Sequence, residues 1–359
     1  MKIRLAAMAG VLLVAGAGSV AALFAEDKPQ SPGSFYGKIY ADWYYDVGDT
    51  APAHAPITKH SEFEVTRAYL GYKYRINDHF STDALLDIER AGPAKSASAS
   101  FDSINNSVSL SLTKDDRYFA YLKLACFSWK DIVPHTTLTL GQLGYIAFNV
   151  QEGFWGHRYL YKSFMDAQGW EPSADMGATV GVSPNDMFKI TAAVVNGDGY
   201  KASQDSYGDY KIGSGVQVNP VKDLTIYLYG DWMPVGSTTD TAQSTVALFA
   251  GYTIIDKGKI GVEYNMQMKQ KGVTDHDVGG FSIYGMYNIT KPLEVFLRYD
   301  MASSKDDWNT AKDGSAIVAG LQYSPVSKVK IALDFQHSQL KLSGAKSSDR
   351  IYFNGEFDY

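Results

Sequence analysis

The sequence predicts an all-β protein, a transmembrane antiparallel up-and-down β-barrel of about sixteen strands whose long third extracellular loop folds inward. Three observations carry that expectation. From position 35 onward, apolar and polar residues alternate with little interruption, the period of two that marks strands with one buried face. Short turns and long polar connections follow one another strictly, as they must when strands run up and down between the two ends of a barrel. After residue 25 no apolar run is long enough for a membrane helix, yet the chain is rich in aromatic residues and glycine.

The first 25 residues stand apart. Lys2 and Arg4 precede an apolar stretch rich in Ala, Val, Leu and Gly that ends in small residues before Glu26, the layout of a secretory signal peptide cleaved after Ala25. Residues 26–34 then form a short periplasmic segment, and residues 35–359 the barrel. Loss of Lys2 and Arg4 takes the net charge from −6 to −8. That balance argues against a nucleic-acid partner. The single cysteine, Cys126, permits no intrachain disulfide, and the seven histidines form no HxH or HExxH spacing. No metal and no cofactor are expected.

Strand one covers 35–46, with Phe35, Ile39, Trp43 and Tyr45 on one face and Lys38, Tyr40, Asp42 and Asp46 on the other. Strand two, 62–75, sets Ala68, Leu70 and Tyr72 against Arg67, Tyr69, Lys73 and Arg75; strand three, 80–90, sets Ala84, Leu86 and Ile88 against Asp83, Asp87 and Glu89. The remaining strands fall near 117–129, 137–143, 173–182, 187–195, 211–218, 224–232, 245–254, 259–269, 279–289, 293–301, 315–323, 328–339 and 348–359. Short turns near 76–79, 134, 183–186, 219–220, 256–258, 290–292 and 324–327 alternate with long connections near 47–61, 91–115, 144–173, 196–210, 234–243, 270–277, 303–313 and 341–346.

Aromatic residues gather near strand ends, as girdles do at a lipid interface, so the apolar faces are expected to point outward. Cys126 then faces lipid or a packed wall. The last strand ends on an aromatic residue, Tyr359, which is similar to the C-terminal signal read by the assembly machinery of bacterial outer-membrane barrels.

The stretch 144–173 is the longest that reads as neither strand nor tight turn. A connection of that length inside a compact domain calls for a function. Phe154, Trp155, Tyr159, Tyr161, Phe164 and Trp170 would pack it against the inside of the wall, while Glu152, His157, Arg158, Lys162, Asp166 and Glu171 give it a polar face.

The residues FEVTRAYLGYKYR at 63–75, SADMG at 173–177 and NGDGY at 196–200 resemble bacterial outer-membrane porins of the phosphate-selective O/P type and their general-porin relatives. The resemblance implies a sixteen-stranded barrel, commonly a homotrimer, in the outer membrane of a Gram-negative-type bacterium, with lipid and lipopolysaccharide around it. It also implies passive diffusion of ions and small hydrophilic solutes through a water-filled channel. The arginine ladder and lysine cluster of the selective members are missing, so phosphate selectivity is not carried over.

Pore selectivity follows the charges that line a constriction. The candidates are Arg67, Lys73, Arg117, Lys123, Asp83 and Asp87 on the wall and Glu152, Arg158 and Asp166 on the loop. Acids of the loop, Glu171 included, are expected to face bases of the wall; the alternative is that the charges pair to pin the loop. Arg158 either binds anionic solutes or stacks on Trp155, and His157 either titrates near the pore or makes an ordinary hydrogen bond. Two competing classes are a substrate-specific channel using lumen tyrosines and a barrel enzyme. The enzyme has little support: His337 and Ser338 are adjacent on a strand and point to opposite faces.

Overall fold

In the segment Gly258–Met268, Ile260, Val262 and Tyr264 are exposed, and Glu263, Asn265 and Gln267 between them are buried. A water-soluble barrel would show the reverse. The computed structural model describes residues 33–47, 61–90, 94–102, 107–114, 117–236 and 238–359, and there the inverted pattern recurs from strand to strand. The predicted leader 1–25 and residues 26–32 lie outside the described residues; Ser34 already belongs to the first strand.

The chain runs through β1 (Ser34–Asp46), β2 (Ser61–Arg75), β3 (Phe80–Glu89), β4 (Ala94–Asp102), β5 (Ser107–Lys114), β6 (Phe119–Lys130), β7 (Thr136–Gly144), β8 (Ala174–Val182) and β9 (Phe188–Val195). It continues through β10 (Lys211–Val221), β11 (Leu224–Val235), β12 (Thr238–Ile254), β13 (Gly258–Met268), β14 (Val278–Thr290), β15 (Leu293–Ser304), β16 (Gly314–Val326), β17 (Val329–Leu340) and β18 (Ser348–Asp358). All but β4 and β5 join one closed antiparallel barrel, sealed where β18 pairs with β1 from Lys38↔Asp358 to Asp46↔Arg350. Closure leaves no open edge, which is the condition for strands to cross lipid. Sixteen strands is the number that the alternation of turns and loops predicts. No helix among the described residues is long and apolar enough to cross a membrane.

Two predicted connections turn out to be strand. Residues 91–115, expected as an irregular loop, contain the hairpin β4–β5, paired from Ala94↔Lys114 to Asp102↔Ser107 outside the barrel sheet. Residues 234–243 are mostly the ends of β11 and β12, joined at Gly236, whose φ of 68° suits a tight turn. Both stretches are rich in Ser, Thr and Ala, so they looked like polar loops, but period two survives in them.

Two bulges within the first strands of the wall reset the alternation. Between β1 and β2 the register slips after Tyr40↔Arg67, so that Ala41 meets Val65 and Asp42 meets Glu64. Between β3 and β6 it slips between Leu85↔Leu124 and Leu86↔Leu122. An extra residue exchanges the faces of everything beyond it. Cys126 is therefore not on the lipid side: it lies opposite Asp83, packs against the buried interior cluster, and lines an inner cavity near the 76–79 turn.

Outside, Phe35 packs on Tyr72 with ring centroids 4.8 Å apart, and Trp43 packs on Phe63 at 6.2 Å. Phe35 and Trp43 are eight residues apart on β1, about 26 Å of strand. That matches the height of an apolar band between two aromatic girdles. Inside, the buried cluster joins the 145–173 connection to inward residues such as Tyr229, Phe249, Tyr284 and Phe296. Gly261 lets Tyr284 lie across β13, since a Cβ there would meet the ring at 2.4 Å.

Two outcomes test this arrangement. A charged, membrane-impermeant thiol reagent should modify Cys126 in barrels reconstituted into liposomes; protection in water-filled, folded barrels, with reaction only of lipid-soluble reagents, would contradict the inward placement. Gly261→Val should displace Tyr284 and cost about 1–3 kcal/mol, read as a lower denaturant midpoint for loss of the folded band on unheated gels.

Candidate functional site: the constriction inside the barrel

The β7–β8 connection is the third long one along the chain, and local chemistry gives it more structure than a loop. Helix α1 (Asn149–Trp155) stops at Gly156 and α2 (Phe164–Gln168) at Gly169, both glycines in the left-handed region at φ 69° and 67°. Glycine there relieves the steric cost of ending a helix. Between and around these turns the rings face the wall. Phe154 meets Phe249 at 5.2 Å, Trp155 meets Tyr284 at 4.9 Å, and the Arg298 guanidinium covers the Trp155 ring at 4.9 Å.

A connection buried this way must find donors for its carbonyl oxygens. The wall supplies them. Lys259 donates to the Phe154 carbonyl, Gln336 to that of Leu160 at 3.2 Å, and Gln267 to that of Trp170 at 2.9 Å. Tyr227 donates to the Ile146 carbonyl at 2.6 Å, and Tyr159 donates to Gln322 at 2.7 Å. Glu171 receives Lys211 at 2.5 Å and Thr245 at 2.7 Å. The connection is thus fastened to the inner faces of β10 through β17.

His157 hydrogen-bonds Glu294 at 2.6 Å and the Trp155 carbonyl at 2.8 Å. It is a fastening residue, the ordinary hydrogen-bonding histidine of the two readings. Arg158 does not stack on Trp155, a place taken by Arg298. It forms ion pairs with Glu152 at 3.2 Å and Asp166 at 2.7 Å, and Lys162 approaches Asp166 at 3.8 Å.

The facing wall is also charged. Arg67 pairs with Asp87 at 2.6 Å and with Glu89, and Lys123 lies 3.6 Å from Asp87. Tyr200 donates to Asp87 at 2.7 Å, and Lys201 pairs with Glu89. Both come from the 196–210 connection, in which no sequence pattern points to the pore. Of the expected pairs of loop acid with wall base, Glu171 makes one, with Lys211 rather than with Arg67, Lys73, Arg117 or Lys123, while Glu152 and Asp166 do not. Glu152 and Asp166 bind Arg158 in their own loop, Arg67 and Lys123 bind wall acids, and Glu171 binds Lys211 of β10. The reason is proximity: each acid meets the base nearest to it, on its own connection for Glu152 and Asp166 and on a neighbouring strand or connection for Asp87 and Glu89, and a neutralised pair costs less to enclose than separated charges.

The other candidates lie elsewhere. Lys73 and Asp83 pair at 3.6 Å, with Tyr36 donating to Asp83 at 2.5 Å, toward the 76–79 turn. Arg117 is exposed ahead of β6, which begins at Phe119 rather than at 117. His337 binds Asp349 at 2.6 Å, an ordinary partner.

A cavity of about 370 Å³ remains between the 158–167 stretch of the loop and the wall of β17, β18, β1 and β2. Arg67, Arg158 and Lys162 line it, as do Asp42 and Glu64, which sequence reasoning did not single out as site residues. Burial works against the Arg158 charge, but Tyr69, Glu152 and Asp166 outweigh it and hold the guanidinium above its ordinary value. Burial lowers the Lys162 ammonium below its ordinary 10.5, and Arg158 and Arg67 push the same way against Asp166.

The beta-barrel porin-2, OmpL-like family matches this chain over residues 37–342. OprB of Pseudomonas putida, in its high-pH structure, superposes with a TM-score of 0.63 at 7% identity, covering 91% of this chain and 94% of that one. OmpF of Salmonella typhi in complex with daunomycin gives 0.61 at 11% identity, covering 91% and 97%. OmpT of Vibrio cholerae, folded in vitro, gives 0.58 at 13% identity, covering 93% and 100%. At these identities the likeness is one of fold. No curated protein matches the chain.

Removing Arg158 should expose two acids to the lumen. Arg158→Gln is expected to shift the zero-current potential under a salt gradient toward cation preference. Because Lys162 holds its proton less tightly than an ordinary lysine, raising the pH should produce a smaller shift of the same sign, and this shift should vanish in Lys162→Gln. An unchanged potential in Arg158→Gln would remove these groups from the ion path.

Proposed function

The chain belongs to the OmpL-like beta-barrel porin-2 family, and from that premise we propose how its channel discriminates among solutes. It is an outer-membrane porin, a channel for passive diffusion of solutes. The proposal is that discrimination occurs between the β7–β8 connection and the β2, β3 and β6 wall, through Arg67, Lys123, Asp87, Glu152, Arg158 and Asp166. The observation that carries it is the fastening of one long connection along the inner wall by rings and polar clamps, which fixes the width beside it.

Charges neutralised on each side give a pore of mixed lining, and weak ion preference follows. Lys73, Asp83 and Arg117 contribute at most to the field at the two mouths. No enzymatic role is proposed. A homotrimer fits the apolar outer faces, and OmpT of Vibrio cholerae folded in vitro has a trimer form. Lipid and lipopolysaccharide would surround the assembly, and Tyr359 would be read by the barrel-assembly machinery. Residues 1–25 would direct export.

Purified protein in a planar bilayer should give steady ohmic steps with weak ion preference, and chemical cross-linking in mild detergent should yield a three-chain species. Strong anion preference with block by phosphate would favour the substrate-specific alternative. Folded protein that passes no current would overturn the description.

A further inference from the structure

The cavity beside the loop has two chemically different ends. On β1 and β2, Asp42 and Glu64 stand directly opposite each other on one rung, with Glu62 and Tyr44 opposite on a neighbouring one. Glu62 is engaged by Arg90 at 3.6 Å, while Asp42 Oδ1 accepts no hydrogen bond among the described residues. Like charges directly opposite across strands repel. This end therefore favours a cation.

The other end carries bases, Arg67 and Arg158 each already paired with acids and Lys162 more loosely held. Arg67, Arg158 and Lys162 converge there, close enough that the two guanidinium groups both disfavour the Lys162 ammonium. The Lys162 side chain is 48% exposed and its counter-ion Asp166 lies 3.8 Å away, so it remains able to receive an anion. Tyr40, Tyr159 and Tyr352 line the space between the ends, with Tyr40 and Tyr159 in ring contact at 6.4 Å. Aromatic faces accept both apolar groups and ammonium ions. A volume near 370 Å³ suits a small organic molecule.

Resting on the reading of the chain as a porin, we propose that this cavity is a binding station for small zwitterions, namely amino acids and short peptides with a free ammonium and a free carboxylate. The ammonium sits at Asp42 and Glu64, the carboxylate at Lys162 and Arg158, and the backbone or side chain lies along the tyrosines. Single-charge solutes meet one favourable end and one that repels them. A zwitterion meets two favourable ends, and its transient stay marks it out from other solutes of its size.

Single-channel recording with glycylglycine as probe tests this directly. Glycylglycine should interrupt the current at concentrations about tenfold lower than its N-acetylated, C-amidated counterpart, succinate or 1,4-diaminobutane, about 1.4 kcal/mol of preference. The D42N/E64Q double variant should lose the preference for a free ammonium, and Lys162→Gln the preference for a free carboxylate. Asp275→Asn, in an exposed pair with Lys305 away from the cavity, should keep both preferences. Equal block by the capped peptide in the unmodified channel would overturn the proposal and leave the porin reading standing. Block best achieved by succinate or by the diamine would overturn it too, since only one end would then matter. Absence of any current through folded barrels would instead bring down the porin reading, and the binding station with it.

Discussion

Every backbone group that crosses lipid must find its partner inside the protein, and here the pairing of β18 with β1 meets that demand. The rest depends on this closure. Once the ring is sealed, the outer face has only lipid to meet, so Ile260, Val262, Tyr264 and Leu333 point outward. The inner face is left with residues such as Glu263, Asn265, Gln267 and Asp334, which no apolar core would accept. A closed wall of this size needs filling or lining, and polar inner residues are what allow a peptide segment to be bound there through its carbonyl groups.

The β7–β8 connection uses that opportunity. Rings alone would leave its carbonyls without partners, and polar residues alone would leave it hydrated and mobile. Trp155 shows the combination: its ring lies against Tyr284 and under Arg298, and its indole N–H donates to the Tyr161 carbonyl at 2.8 Å. Arg298 in turn is held by Asp300 through two bonds of 2.8 and 2.7 Å. Orientation is therefore passed from the barrel wall to the loop through groups whose charges are already matched. Such matching lets a charged contact be buried without a large uncompensated desolvation cost.

Much of the fold was legible in the sequence because a barrel wall obeys a period of two along almost its whole length. Strand number, the inverted faces of β13 and β17, and the position of the long connection all follow from that period and from turn spacing. The constriction was legible in location and in its ring content but not in its pairing. Which base Glu152 or Asp166 meets depends on how residues 149–169 coil, and Gly156 and Gly169 set that coiling through single backbone angles. Tyr200 and Lys201 reach Asp87 and Glu89 from another connection altogether, and alternation carries no information about such an approach.

The bulge at β1–β2 is the least legible feature and the one with the largest chemical effect. Past it, Arg67 and Tyr69 are inward on odd-numbered positions of β2. Before it, Phe63 and Val65 are the exposed residues, so the inward positions are the even ones occupied by Glu62 and Glu64. Unbroken alternation would send those two acids to the lipid face whenever Arg67 pointed inward. That arrangement is costly enough to be avoided in a membrane wall. One inserted residue lets a single strand present acids and a base to the same lumen, and it sets Glu64 against Asp42 rather than against an outward neighbour. The separation of negative and positive ends in the cavity is thus a property of register, and register is fixed by pairing across strands rather than by either strand's sequence alone.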